Sequence, residues 1–192
     1  MTQIQNFKMF IDGEWLESSS GKKIETLNPE TNEVWATVPE ANKEDVDKAV
    51  KAAQNAFNRS WSTLHPKERA KFLRNIGDLL RENAEHLGKI ETIDTGKLYK
   101  ETKSQAIYIA EYYDYYAGLA DKVEGTVVPI DKPDMQVTTT RMPIGVIAAI
   151  IPWNSQMLLT AVKLAPALAM GNTVVIKASE LAPVTLLEFA KL

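Results

Sequence analysis

No cysteine occurs anywhere in the 192 residues. That absence removes disulfides, thiolate metal centres and any cysteine nucleophile together. Histidine is scarce, with His65 and His86 the only two. A Ser-His-Asp triad would need one of them. His65 precedes Pro66 at a helix start and His86 lies in a charged helical stretch, so neither has convergent partners in sequence. Long apolar runs are missing too. The longest, near Gly145–Ile151 and Leu164–Met170, fall far short of the ~20 residues that cross a bilayer. The opening MTQIQNFKMF lacks the basic-then-apolar layout of a secretory signal. Nor is there a basic excess: Lys+Arg 22 against Asp+Glu 25 gives a net charge of −3. Nucleic acid and membrane are therefore not expected partners, and a cytoplasmic protein is the expectation. What remains is ordinary for a globular chain, 45% hydrophobic and 24% charged, enough for one domain or a domain and part of a second.

Periodicity divides the chain. KMFIDGEWLES carries Asp12-Gly13 between apolar pieces, a hairpin signal. KKIETLNPET and VWATVPEA read as short strands about an Asn28-Pro29 turn. Val46, Ala49, Val50, Ala53 and Phe57 then follow helical spacing, with Asn42 as N-cap and Asp45 three residues on. Pro66 suits the first turn of a second helix that carries Leu73, Ile76 and Leu80 inward. A third helix is predicted from about Asn83 to Thr95, stopping near Gly96, and a fourth from about Glu101 to Ala120. The tyrosines of the fourth, Tyr108, Tyr112, Tyr113, Tyr115 and Tyr116, read as a packing face with polar tips. From Val123 the pattern is extended, rich in Val and Thr and broken by Pro129, Pro133 and Pro143, as suits an edge or a protruding ribbon.

The sharpest pattern follows. GVIAAIIPWN reads as a strand buried on both faces. SQMLLTAVKLAPALAMG is a helix ending at Gly171, NTVVIKAS a second buried strand, and LAPVTLLEFAKL the start of another helix. A strand, helix and strand of this length predict a parallel pair in a right-handed βαβ unit. Ligands of open α/β sheets bind at the carboxyl ends of strands, where Pro152-Trp153-Asn154 and Lys177-Ala178-Ser179-Glu180 fall. The G-x-G-x-x-G fingerprint of dinucleotide folds is absent. Lys177 and Glu180 each suit a ribose hydroxyl, and a solvated charge pair is the plain alternative.

The segments FIDGEW, NPETNEV, IDTGK, RMPIGVIAAIIPWN, KLAPALAMGNTVVIKASE and LAP together resemble the N-terminal part of the NAD(P)-dependent aldehyde dehydrogenases, over nearly the whole chain. That family has a Rossmann-like domain without G-x-G-x-x-G. The resemblance implies an α/β fold: the N-terminal part of the aldehyde dehydrogenase fold, with a truncated Rossmann-like parallel sheet, a helical N-terminal segment and a strand ribbon. It divides the chain into strands and helices of the cofactor domain (1–122), an extended oligomerisation or bridging ribbon (123–143) and the first βαβ (144–192). It further implies that Asn154 supports the oxyanion formed on the aldehyde, a task for a preorganised neutral donor. Ile150, Ile151, Pro152 and Trp153 match positions lining the cofactor. Lys177, Ser179 and Glu180 match the family's K-P-S-E, whose lysine and glutamate hold the adenosine ribose; position 178 is alanine here. Lys163 matches a lysine described as part of a charge relay, with a structural helix lysine as the alternative. Thr26, Leu27 and Asp94 look like the monovalent-cation position of some members. NAD is the expected cofactor, with NADP usable.

The family's reaction also needs a nucleophilic cysteine and a glutamate base. Both lie beyond the position matching Leu192. The expectation is therefore an N-terminal fragment of an enzyme that oxidises an aldehyde to a carboxylate, inactive alone, whose complete form is a homo-oligomer. Rival readings are an interaction module, pairing through the 123–141 ribbon or with a C-terminal chain, and a bare nucleotide-binding piece.

Overall fold

The computed structural model of the chain describes residues 4–192; Met1–Gln3, the start of the stretch read above for a secretory layout, lie outside them. Strands β1 (Gln5–Asn6), β4 (Lys23–Asn28) and β5 (Glu33–Pro39) form a small sheet in the order β1-β5-β4. Strands β2 (Met9–Ile11) and β3 (Glu14–Leu16) make a separate hairpin. Its turn takes positive φ at Asp12 (54°) and Gly13 (80°), the twist that an Asp-Gly pair supplies.

Four helices follow: α1 (Lys43–Arg59), α2 (Pro66–Glu82), α3 (Ala84–Thr95) and α4 (Tyr99–Leu119), with a short 3-10 turn at Trp61–Thr63. The Asn42–Asp45 capping box forms as its spacing predicts. Asp45 does more than cap: its carboxylate also accepts from Ser18 Oγ at 2.9 Å and Ser19 N at 3.0 Å, tying α1 to the sheet side. The apolar stripe of α1 is only partly covered, since Val46 and Val50 are exposed. The α2, α3, α4 and later α5 faces meet in the main core around Leu73, Leu80, Leu87, Ile109 and Tyr113. Of the α4 tyrosines only Tyr113 is fully buried; Tyr108 and Tyr115 are exposed, so the packing-face reading holds for part of the cluster.

The ribbon shortens to two-residue strands, β6 (Val127–Val128) and β7 (Val137–Thr138), and residues 121–142 are exposed throughout. Gly125 lets the two arms approach, because a Cβ there would meet the Thr139 carbonyl oxygen at 2.0 Å.

Strands β8 (Val146–Ile150) and β9 (Thr173–Lys177) run parallel, paired from Val146↔Thr173 to Ile150↔Lys177, with helix α5 (Gln156–Ala169) as the crossover. One expectation is corrected. Strand β8 is not buried on both faces: Ala149 and Ile151 pack against Leu186, whereas Ala148 and Ile150 are open, Ile150 at 69%. Helix α1 covers the start of that face, where Ala53 O accepts from Thr173 Oγ1 at 2.9 Å, but among the described residues it leaves Ala148 and Ile150 open. The pair is nevertheless firmly placed. Asn172 Oδ1 accepts from Ile144 N and Gly145 N at 2.7 and 3.0 Å, fixing the start of β8. Arg69 Nε donates to Ala169 O at 3.0 Å, a cation at the carbonyl end of α5. Helix α6 (Val184–Phe189) then packs Val184 against Phe7, Trp35 and Ile90, joining the small sheet to α3.

Candidate active site

The parallel register decides which residues can meet. Because Ile150 pairs with Lys177, both strands end at the same level, and Pro152–Asn154 and Lys177–Glu180 emerge along one edge. Pro152, Trp153 and Asn154 are exposed there, Trp153 at 53%. Ile151 is different: its side chain is buried in the core, and its N–H donates to Lys177 O at 3.0 Å. Only its backbone faces the edge. Ser179 is likewise buried and accepts from Leu181 N at 3.3 Å, a turn-forming contact. Lys177 and Glu180 remain outside and pair with each other at 2.9 Å. A hydrogen bond from that lysine holds the Glu180 carboxyl below its usual range. Lys163 lies about two turns into α5 and donates to Leu159 O at 3.2 Å, along its own helix. It is not brought beside Asn154 by any contact.

A second polar region lies beneath the edge, where α3, α5 and α6 converge. Asp94 is buried and accepts from the backbone N–H and hydroxyl of Thr185, both at 3.0 Å, which caps α6. Its other oxygen, Oδ1, has no hydrogen-bond partner among the described residues. Thr26, also buried, donates to Leu181 O at 3.5 Å, while the Leu27 side chain is exposed. The β4–β5 register slips between Thr26 and Leu27. Gln156 Nε2 donates to Ala182 O, so the 181–185 segment is held from three sides.

Glu91 is the residue the sequence reading passed over. It is fully buried, and neither carboxylate oxygen has a hydrogen-bond partner among the described residues. Lys97 Nζ is 3.9 Å away. The same ammonium donates to Ser155 Oγ, at the start of α5 and next to Asn154. A sequence signal existed: Leu87, Ile90, Glu91 and Asp94 share the buried stripe of α3, and acids in an apolar stripe need an explanation.

Burial pushes the Glu91 carboxyl up to about 7, opposed by Lys97 and reinforced by Asp94. Burial likewise raises Asp94 to about 6, against the hydrogen bonds at the head of α6. Both folded values lie above the ordinary 4.5 and 3.8. The folded chain therefore keeps protons that the unfolded chain has released, and stability falls as pH rises through 6 and 7. Urea unfolding in buffer free of alkali cations should give a lower midpoint at pH 8 than at pH 5. Glu91→Gln should remove about 2 kcal/mol of that fall. An unchanged pH slope in the variant would show that Glu91 is not the group being titrated.

The sequence profile of the aldehyde dehydrogenase family matches residues 15–192. The chain belongs to the aldehyde dehydrogenase family. It is 53% identical over 190 residues to (Z)-2-((N-methylformamido)methylene)-5-hydroxybutyrolactone dehydrogenase of Acinetobacter baylyi, covering 98% of this chain and 38% of that one. It is 43% identical over 185 residues to the betaine aldehyde dehydrogenase of Bacillus subtilis, covering 96% and 38%. The chain thus spans little more than a third of the curated dehydrogenases it matches. Among solved structures, betaine aldehyde dehydrogenase of Staphylococcus aureus in complex with NAD+ aligns with a TM-score of 0.92 at 38% identity, covering 96% of this chain and 37% of that one. This aldehyde dehydrogenase chain therefore has the N-terminal α/β architecture of its family. Among the described residues no helix is long and apolar enough to cross a membrane.

Proposed function

We propose that this chain supplies the cofactor edge and the oxyanion donor of an NAD-dependent aldehyde dehydrogenase that converts an aldehyde to a carboxylate. The observation that carries the reading is the level register of β8 and β9, which sets Asn154 and the Lys177–Glu180 pair along one edge. When bound, NAD accepts a hydride. Lys177 and Glu180 would hold the adenosine ribose. Ile150, Pro152 and Trp153 would border the cofactor with their side chains, Ile151 with its backbone, and buried Ser179 would shape the turn. Asn154 would donate its amide N–H to the aldehyde oxygen as negative charge builds there. The mid-helix setting of Lys163 favours the structural role over a relay.

The buried, unpartnered Oδ1 of Asp94 suits a cation. One carboxylate joined by backbone carbonyls would be a hard-oxygen set of low charge, which fits a monovalent ion better than a divalent one. Thr26, Leu27 and the Leu181 carbonyl would complete it. The exposed apolar side chains of the ribbon, among them Val127, Met135 and Met142, support assembly of the complete enzyme with further copies of itself.

Cofactor preference gives the direct test. It uses an assembled enzyme in which residues 1–192 are joined to the C-terminal remainder of the Acinetobacter baylyi relative. Glu180 accepts from a ribose 2′-hydroxyl and repels a 2′-phosphate, while Lys177 favours the phosphate, so NAD should be preferred with NADP still usable. Glu180→Gln should shift the ratio of kcat/KM values toward NADP by about tenfold, and Lys177→Ala should weaken both cofactors. A ratio that Glu180→Gln leaves unmoved would put the carboxylate elsewhere than on the ribose.

A further inference from the structure

Residue Ser155 opens helix α5, the position where a serine hydroxyl ordinarily accepts a hydrogen bond from a backbone N–H of the first turn. Here it caps nothing in α5. It is engaged instead by the ammonium of Lys97, which reaches across from the three-residue link between α3 and α4. That link is itself well placed. Gly96 ends α3 at φ 76° against Pro29, and Lys97 N donates to Thr95 Oγ1 at 3.3 Å. Beneath the ammonium lies fully buried Glu91, which has no hydrogen-bond partner of its own among the described residues.

The turn that Lys97 grips is the one that carries Asn154. Residues Trp153 and Asn154 form a two-residue turn, and both are exposed. Their exposure leaves the turn little side-chain packing to fix it. From these observations we infer that Lys97, seated on Glu91, is a positioning residue: it holds Ser155 away from the helix-capping geometry and so fixes the direction in which Asn154 presents its amide. This rests on the proposed role of Asn154 for its catalytic consequence, and on the contacts alone for its structural one. Without the ammonium, the Ser155 hydroxyl is free to turn back onto the first N–H groups of α5. That swing rotates the backbone immediately after Asn154. An oxyanion donor acts only within a narrow range of distance and angle, so a small rotation is expressed in the rate.

The test has two arms. In the 192-residue chain itself, amide exchange is read by mass spectrometry for Lys97→Met, Ser155→Ala, the double variant and Lys97→Arg. Exchange across residues 153–155, the turn itself, should quicken by about tenfold in each single variant, the equivalent of one charge-assisted hydrogen bond. The double variant should be no faster than the singles, since both remove the same contact. Lys97→Arg should restore much of the protection. Additive effects, or quickening spread evenly over α2–α4, would reduce Lys97 to a general stabiliser and overturn the inference. In the assembled enzyme the same single variants should lower kcat by about tenfold with KM for NAD nearly constant. A loss confined to KM, or to thermal stability, would overturn it equally. If the unsubstituted assembly turns over no aldehyde, the dehydrogenase reading fails, and the exchange arm still decides whether Lys97 holds the turn.

Discussion

In the assembled enzyme Asn154→Ala should lower kcat by about 100-fold or more while leaving the affinity for NAD nearly intact. Asn154 stands exposed at the carboxyl end of β8, on the turn before α5. Its amide is neutral, so it attracts little in the ground state and most when the aldehyde oxygen becomes an oxyanion. A donor of this kind typically contributes about 3 kcal/mol, and it does so in the transition state. The loss should therefore appear in kcat and kcat/KM together. Equilibrium binding of NAD and single-turnover kinetics separate the cases. A large fall in NAD affinity with kcat unchanged would move Asn154 from the reacting oxygen to the cofactor.

The second large effect is an absence. The 192-residue chain alone should give no NAD-dependent oxidation of any aldehyde above background. It has no cysteine, and no hydroxyl here has the base that would make it a nucleophile. The His86 ring contacts the Glu188 carboxylate at 3.0 Å, a contact that ties α3 to α6. Purified chain freed of host dehydrogenases, assayed by NADH absorbance over a panel of aldehydes, would refute this by any turnover that scales with its concentration.

Much of this architecture was legible in the residues. The apolar runs of β8 and β9 and the glycine beyond α5 announce a parallel pair. The capping box of α1 and the proline of α2 mark helix starts. The turn pairs of the first forty residues mark the hairpin and the small sheet. What could not be read was of two kinds. Burial on both faces of β8 was inferred from composition, yet burial depends on what lies over the strand, and Ile150 is open here. The polar contacts beneath the edge join residues far apart in sequence, such as Lys97 with Ser155 and Gln156 with Ala182. Local periodicity carries no information about them. The motif around Asp94 singled out Asp94 and not Glu91, which lies three residues earlier on the same buried stripe.

The caps and clasps around the 181–185 segment have a consequence for the order in which the chain acquires its structure. Thr185 is bound to Asp94, Leu181 to Thr26 and Thr173 to Ala53, closures of 91, 155 and 120 residues. Helices α2–α4 touch mainly one another and can dock as soon as they leave the ribosome. The small sheet cannot finish its burial until Val184 emerges, because that side chain completes the cluster of Phe7, Trp35 and Ile90. The first strands synthesised must therefore wait for nearly the last residues of this chain. Long closures of this kind slow folding far more than they weaken the folded state. During that wait the edges of β1 and β4 and the uncovered apolar face around Trp35 are the surface a chaperone would have to shield.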